Sequence, residues 1–206
     1  MSALLFTMSY CNRPNAVQLQ SGDLLFTGPD NCAKTGHLAK AIDEVTREGL
    51  ATNFSHVGIA EVDDYGIWVI HAEPRQGVKR ESIDTFIRTG SYSTVFVYRF
   101  IEEYRDFIPD ALTRAHRFVG QPYDFTYQLG HSAQYCSGLI YRLFEPYDIF
   151  ELKPMTFIDP NTGAFHPYWV DYFNKLGIEI PEGYLGCNPN GMASSAALKY
   201  VGQIQK

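Results

Sequence analysis

The sequence has no C-x-x-C pair, its four cysteines standing far apart at positions 11, 32, 136 and 187. That spacing argues against a zinc ribbon and against the disulfide framework of a small secreted domain. One disulfide among Cys11, Cys32 and Cys187 is compatible with it. No H-E-x-x-H or other compact metal-ligand pattern occurs, and no motif calls for a metal or cofactor. There is no basic stripe: 17 Lys and Arg face 23 Asp and Glu, for a formal charge of -6. This argues against a nucleic-acid partner, which needs clustered positive charge. The scattered Lys and Arg form no run suited to an anionic membrane surface. No apolar run approaches the roughly 20 residues of a transmembrane helix, and no internal repeat appears.

What remains is a chain of ordinary globular composition, whose 206 residues suffice for one sizeable core. Its beginning, "SALLFTMSYC", is apolar and ends in a cysteine, as a lipoprotein export signal does, but lacks a basic start. Residues 1–20 are therefore read as a tail or the remnant of an export signal. The reading leans toward the cell envelope, with a cytoplasmic location as the alternative and lipidation of Cys11 left open.

Residues 21–206 read as one α+β domain. "SGDLLFTG" (21–28) has the short apolar run of a strand. "HLAKAIDEVTREGL" (37–50) carries apolar residues at helical spacing. "SHVGIAEV" (55–62) and "GIWVIHAE" (66–73), joined by the turn residues of "DDYG", predict a hairpin. "STVFVYRF" (93–100) predicts a further strand, and "IPDALTRAHRFVG" (108–120) a helix with Asp110 as its cap. "YCSGLIYRLF" (135–144) predicts a helix with Cys136 in its first turn. After Lys153, Pro, Asn, Gly and aromatics make a loop-rich arm with one helix, "YWVDYFNKLG" (168–177).

A thiol at a helix start feels the positive end of the helix dipole, which favours thiolate. Burial as a space-filling side chain is the competing role for such a cysteine. His56 and His71 stand on the two arms of the hairpin, where side chains opposite one another on one face are held within about 5 Å. One imidazole of such a pair can take a thiol proton while the other fixes its tautomer.

"GDLLF", "SHVGI", "VIHAE" followed by "GV", and "YCSGLIY" together resemble the NlpC-type papain-like superfamily of cysteine peptidases and amidases. There the cysteine block comes first. Here it follows both histidines, an order similar to the circularly permuted, YiiX-like branch. "AIDEVTREGLATNFSHVGI" and "GQPYDF" also resemble that branch, and the likeness spans about 22–144. It implies a permuted papain-like fold: an antiparallel sheet or half-barrel packed against helices, with the cysteine at a helix N-terminus.

It also implies roles. Cys136 matches the nucleophile, His56 the general base and His71 the orienting third member, with Glu73, on the same face of the strand, as the fallback. Tyr123 matches a tyrosine that donates to an oxyanion or positions substrate, and Ser137 is small enough to let substrate approach the backbone of the first turn. Tyr135 stands where the unpermuted pattern has Asp. A Cys136–His56 ion pair near neutral pH is expected. The reaction implied is amide hydrolysis, in cell-wall peptides or N-acylated amines. Lipid acyl transfer or ester and thioester hydrolysis by the same residues is the alternative. A catalytically idle binding module is a third reading, which intact Cys136, His56 and His71 disfavour.

Overall fold

The computed structural model describes residues 17–28, 37–46, 53–90 and 94–206. In chain order its elements are β1 (Leu24–Thr27), α1 (His37–Thr46), β2 (His56–Asp63), β3 (Gly66–Glu73), β4 (Gly77–Ser82), α2 (Ile83–Thr89) and β5 (Thr94–Phe100). Then follow α3 (Ile108–Phe118), α4 (Cys136–Phe144), β6 (Lys153–Pro154), α5 (Pro167–Leu176), β7 (Leu185–Gly186), α6 (Pro189–Ala193) and β8 (Leu198–Gln205). Six strands form one antiparallel sheet in the order β4-β3-β2-β1-β5-β8. β1 is central and buried along its whole length, which is why Leu24, Leu25 and Phe26 form an apolar run instead of alternating.

The β2–β3 hairpin closes as its turn residues require. Asp63 Oδ1 accepts from the N–H groups of Tyr65 (2.8 Å) and Gly66 (3.0 Å) and from the Trp68 indole (3.0 Å). At the entry to β1, buried Asp23 receives Arg99 Nε at 2.7 Å and Nη2 at 2.8 Å, tying β1 to β5. Gly22 and Asp23 thus serve the fold.

Alternation gives each sheet face its own core. On one face Leu24, Phe26, Val57, Ile59, Ile70 and Ala72 pack against Leu139, Ile140, Leu143 and Phe144 of α4 and Trp169 and Phe173 of α5. On the other, Leu25, Ala60, Val69, Val95 and Val97 pack against Phe86 of α2 and Leu19. Leu19, only 7% exposed, packs into this second core from the segment before β1.

The hairpin, the strands at 24 and 94 and the helices at 108, 136 and 167 lie where the sequence placed them. Of the expected helix 37–50, residues 47–50 lie outside the described residues, as do Cys11 and Cys32. Asp110 is not a cap: it sits in the first turn of α3 and accepts from Arg114 (2.6 Å) and Tyr147 (2.6 Å). β4, α2 and β8 were not foreseen. β4 and α2 carry few apolar residues, and β8 is a polar edge strand bent by a bulge opposite Val97/Tyr98.

Candidate active site

α4 starts at Cys136 because Tyr135 is extended and its carbonyl accepts from Leu139 N–H at 2.8 Å. The N–H groups of the first turn are left without intrahelical partners. No side chain caps them. Instead the Tyr135 ring lies over Gly138, where a Cβ would come within 2.6 Å of the ring. The Tyr135 hydroxyl accepts from Cys187 N–H at 3.3 Å and lies 3.5 Å from the Cys187 sulfur. Ser137 Oγ donates to the Cys187 carbonyl at 3.1 Å. Both neighbours of Cys136 therefore clasp one stretch of the C-terminal arm. Tyr135 thereby anchors the arm, and the Ser137 hydroxyl is taken up by the Cys187 carbonyl.

The loop before α4 is held just as firmly. Tyr123 bridges Gln134, with Asp124 N–H donating to Gln134 O at 3.1 Å and Gln134 N–H to Pro122 O at 3.0 Å. Val78 N–H donates to Gln121 O at 2.9 Å, and Gly120 N–H to Val78 O at 2.8 Å. Gly77, at φ +71°, has no room for a Cβ against Gln121. The "GV" of β4 and the "GQPYD" loop are thus two halves of one device, which sets Tyr123 beside Cys136.

Cys136 and Tyr123 both line a cavity of about 500 Å³. Its walls include Tyr127, Trp169 and Phe157, with Met155, Met192 and Cys187 from the C-terminal arm. Burial drives the phenols of Tyr123 and Tyr127 well above their ordinary range, and nearby Cys136 adds to both shifts, so each remains a protonated donor.

On β2 and β3 the two histidines meet. His56 Nε2 lies 2.9 Å from His71 Nδ1. His71 Nε2 lies 3.0 Å from Glu81 Oε1, and Lys79 Nζ holds the other Glu81 oxygen at 3.1 Å. His71 is turned toward His56 and takes its carboxylate from Glu81 of β4, not from Glu73. Burial raises the Glu81 carboxyl, but the bonds from His71 and Lys79 outweigh this and leave it below its usual value.

Sulfur and imidazole lie on opposite faces of the sheet, with no hydrogen bond between them. Both rings pack on Phe86, on the sheet face that carries α2. Cys136 belongs to the core of the other face. They adjoin at the first residue of β2, where the sulfur lies 4.0 Å from Ser55 O and the N–H of Val57 points toward it. The sulfur thus rests against the main chain on either side of His56. Burial pushes the Cys136 thiol up to about 11, despite the opposing N–H groups of Ser137, Val57 and Cys136 itself. Burial, then the charges of His71 and Lys79, push His56 well below its ordinary value. The expected ion pair near neutral pH is therefore absent from this resting arrangement. Thiol and imidazole are both neutral, because desolvation outweighs the helix start.

A family model described as permuted papain-like amidase enzyme, YaeF/YiiX, C92 family, matches residues 18–202. The chain belongs to this family. It is thus a papain-like cysteine amidase or peptidase at family level, and the order with the cysteine after both histidines is the permuted one. A solved structure of metalloprotein YiiX from Escherichia coli O157:H7 is similar over 92% of this chain and 100% of that one, at 20% identity and a TM-score of 0.74. The likeness shows a shared fold. No curated protein matches. YiiX is called a metalloprotein. Among the described residues here, no group of three or more His, Cys, Asp or Glu is placed to hold a metal ion.

Three residues at or behind this site escaped the sequence. Glu81 lay in a stretch with no apolar period to mark it as a strand. Gly58, inside "HVGI", leaves the space that His71 fills: a Cβ there would meet His71 Cβ at 3.0 Å and Val69 Cγ1 at 2.8 Å. Asn190, buried in the arm, accepts from Phe54 N–H at 2.7 Å and donates to Thr46 Oγ1 at 2.9 Å, fixing the segment that leads into His56. The "NPNG" around Asn190 was the available signal, as an Asn cap before a helix. Neither His56 nor His71 is among the residues lining the cavity, nor are His131, His116, which pairs with Glu61 at 2.7 Å, and His166, which pairs with Glu44 at 2.9 Å.

Proposed function

We propose that the protein hydrolyses the amide bond of an N-acylated amine or a cell-wall peptide, with Cys136 as nucleophile, His56 as general base and His71 orienting it. The observation that carries this reading is the position of Cys136. It occupies the first turn of α4, at the wall of an apolar cavity, with its sulfur against the main chain of Ser55 and Val57, the neighbours of His56. The reaction requires the thiol to turn from this resting position toward His56, a change of χ1 between staggered wells.

A neutral resting pair favours a concerted first step. As the sulfur–carbon bond forms, the thiol proton passes to His56, and the carbonyl electrons move onto oxygen. N–H groups of the α4 start and the Tyr123 hydroxyl receive that oxyanion. The imidazolium then gives its proton to the leaving nitrogen and the carbon–nitrogen bond breaks, leaving a thioester. Water, deprotonated by His56, attacks the thioester. The carboxylic acid departs and the thiol regains the proton.

The cavity favours a substrate with a bulky apolar acyl group, since its walls are mainly aromatic and aliphatic. The same feature favours the second reading, ester or thioester hydrolysis or lipid acyl transfer, which shares the acyl-enzyme. A series of N-acyl amines of increasing chain length, assayed beside muropeptides and matching thioesters, separates them. Turnover rising with acyl length on amides supports the first reading. Turnover of thioesters alone supports the second, and turnover of muropeptides with no effect of acyl length places the specificity in the peptide.

A further inference from the structure

We infer that Glu81 is a positioning residue, which sets the tautomers of both histidines and so determines which nitrogen of His56 is the base. The inference rests on the proposed Cys136–His56 chemistry. It begins from the carboxylate, which has no proton to give and can only accept. Glu81 Oε1 lies 3.0 Å from His71 Nε2, so that nitrogen carries the proton. In a neutral His71 the remaining nitrogen, Nδ1, is then a lone-pair acceptor. It lies 2.9 Å from His56 Nε2, which must donate. Neutral His56 is left with its free lone pair on Nδ1. A single charge two links away thereby selects the basic atom.

The surroundings reinforce this order. Lys79 Nζ at 3.1 Å holds the second Glu81 oxygen, leaving Oε1 for His71. The Glu81 side chain is only 13% exposed, so solvent competes weakly for it. β1 contributes Thr27, paired with His56 in the ladder, and α2 contributes Phe86, whose ring lies 5.0 Å from that of His71 and 6.2 Å from that of His56. Among the described residues, Lys79 and Glu81 are the charged groups acting on the pair. Burial, a charge on His71 and the Lys79 charge all oppose protonation of His56. When His56 becomes an imidazolium during the reaction, a His71 kept neutral removes the second of these and conveys the negative charge of Glu81. Replacing Glu81 by Gln removes that charge. It also lets an amide N–H donate to His71 Nε2, which reverses the proton order along the chain.

The test reads tautomers directly. Long-range ¹H–¹⁵N correlation spectra of ¹⁵N-histidine-labelled protein, recorded above the usual histidine titration range, should show Nε2–H on both His56 and His71. In Glu81→Gln the His71 proton should move at least partly to Nδ1, and kcat should fall on the order of 10–100-fold, the size of loss seen when the carboxylate behind a metal-ligating histidine is removed. KM should change little, and Glu81→Asp should recover part of kcat. Nδ1–H on His71 in the wild type overturns the inference. So does a Glu81→Gln protein with unchanged tautomers and unchanged kcat. Failure of the underlying chemistry is separately visible as full activity in Cys136→Ala, which leaves the histidine spectra untouched.

Discussion

His71 reaches His56 across a diagonal of the sheet, through the space left by Gly58. The ladder pairs Ile59 with Ile70 and Ala60 with Val69, so the same register sets His71 opposite Gly58, two residues from His56. Even so, the ring nitrogens approach to 2.9 Å. Gly58→Ala should therefore both destabilise the fold and separate the pair. Its Cβ would stand 3.3 Å from Ile70 O as well as against Val69 and His71. An overpacking loss of about 1–3 kcal/mol is expected by chemical denaturation. A variant as stable and active as the parent would contradict the role given to this glycine.

Removing His71 tests orientation apart from proton transfer. His71→Ala should lower kcat within the roughly 10²–10⁴-fold range of general acid–base contributions, with substrate affinity kept, because the ring lies outside the cavity lining. A change confined to KM would place His71 in binding instead.

The state of the resting thiol is measurable without substrate. With Cys136 pushed up to about 11, its alkylation by a small neutral reagent should be slow at neutral pH. The rate should climb about tenfold per pH unit, following the thiolate fraction. Because the native thiol titrates above a free cysteine's value of about 8.5, its contribution to stability is present below that pH and fades as pH rises toward about 11. His56 has the opposite sign. Its lowered native value adds stability above about pH 6.5, and that stability is lost as pH falls from there toward the native value. An alkylation rate already at its plateau near neutral pH would reveal a preformed thiolate–imidazolium pair.

Asn190→Ala should cost about 1–3 kcal/mol, the penalty for a buried N–H left without its acceptor, here that of Phe54. The segment leading into His56 is expected to loosen, giving faster amide exchange at residues 53–56. Unchanged exchange there would show that the arm covers the site without organising it.

The sequence carried the blocks with strong local signals. The hairpin was legible from "DDYG" between apolar runs, and the cysteine helix from the spacing of Leu139, Ile140, Leu143 and Phe144. The closeness of His56 and His71 followed from placing both on one hairpin. What stayed hidden depends on long-range packing. Nothing local marks Lys79–Glu81 as a strand under His71, since its side chains are held by charge pairing and not by apolar alternation. The lowered thiol value expected from the helix start was overturned by burial, a property of the whole core that no short motif encodes. The polar edge strand β8 is likewise recruited by the free edge of β5, not by its own period.

The most direct measurement is site-resolved labelling with an amide-mimic electrophile that traps an acyl-enzyme, read by mass spectrometry of the intact protein and its peptides. The label should sit on Cys136, disappear in Cys136→Ala, and form far more slowly in His56→Ala while that variant stays folded. A label on Cys187 with Cys136 unmodified, or undiminished labelling of Cys136 in His56→Ala, would contradict the assignment of nucleophile and base.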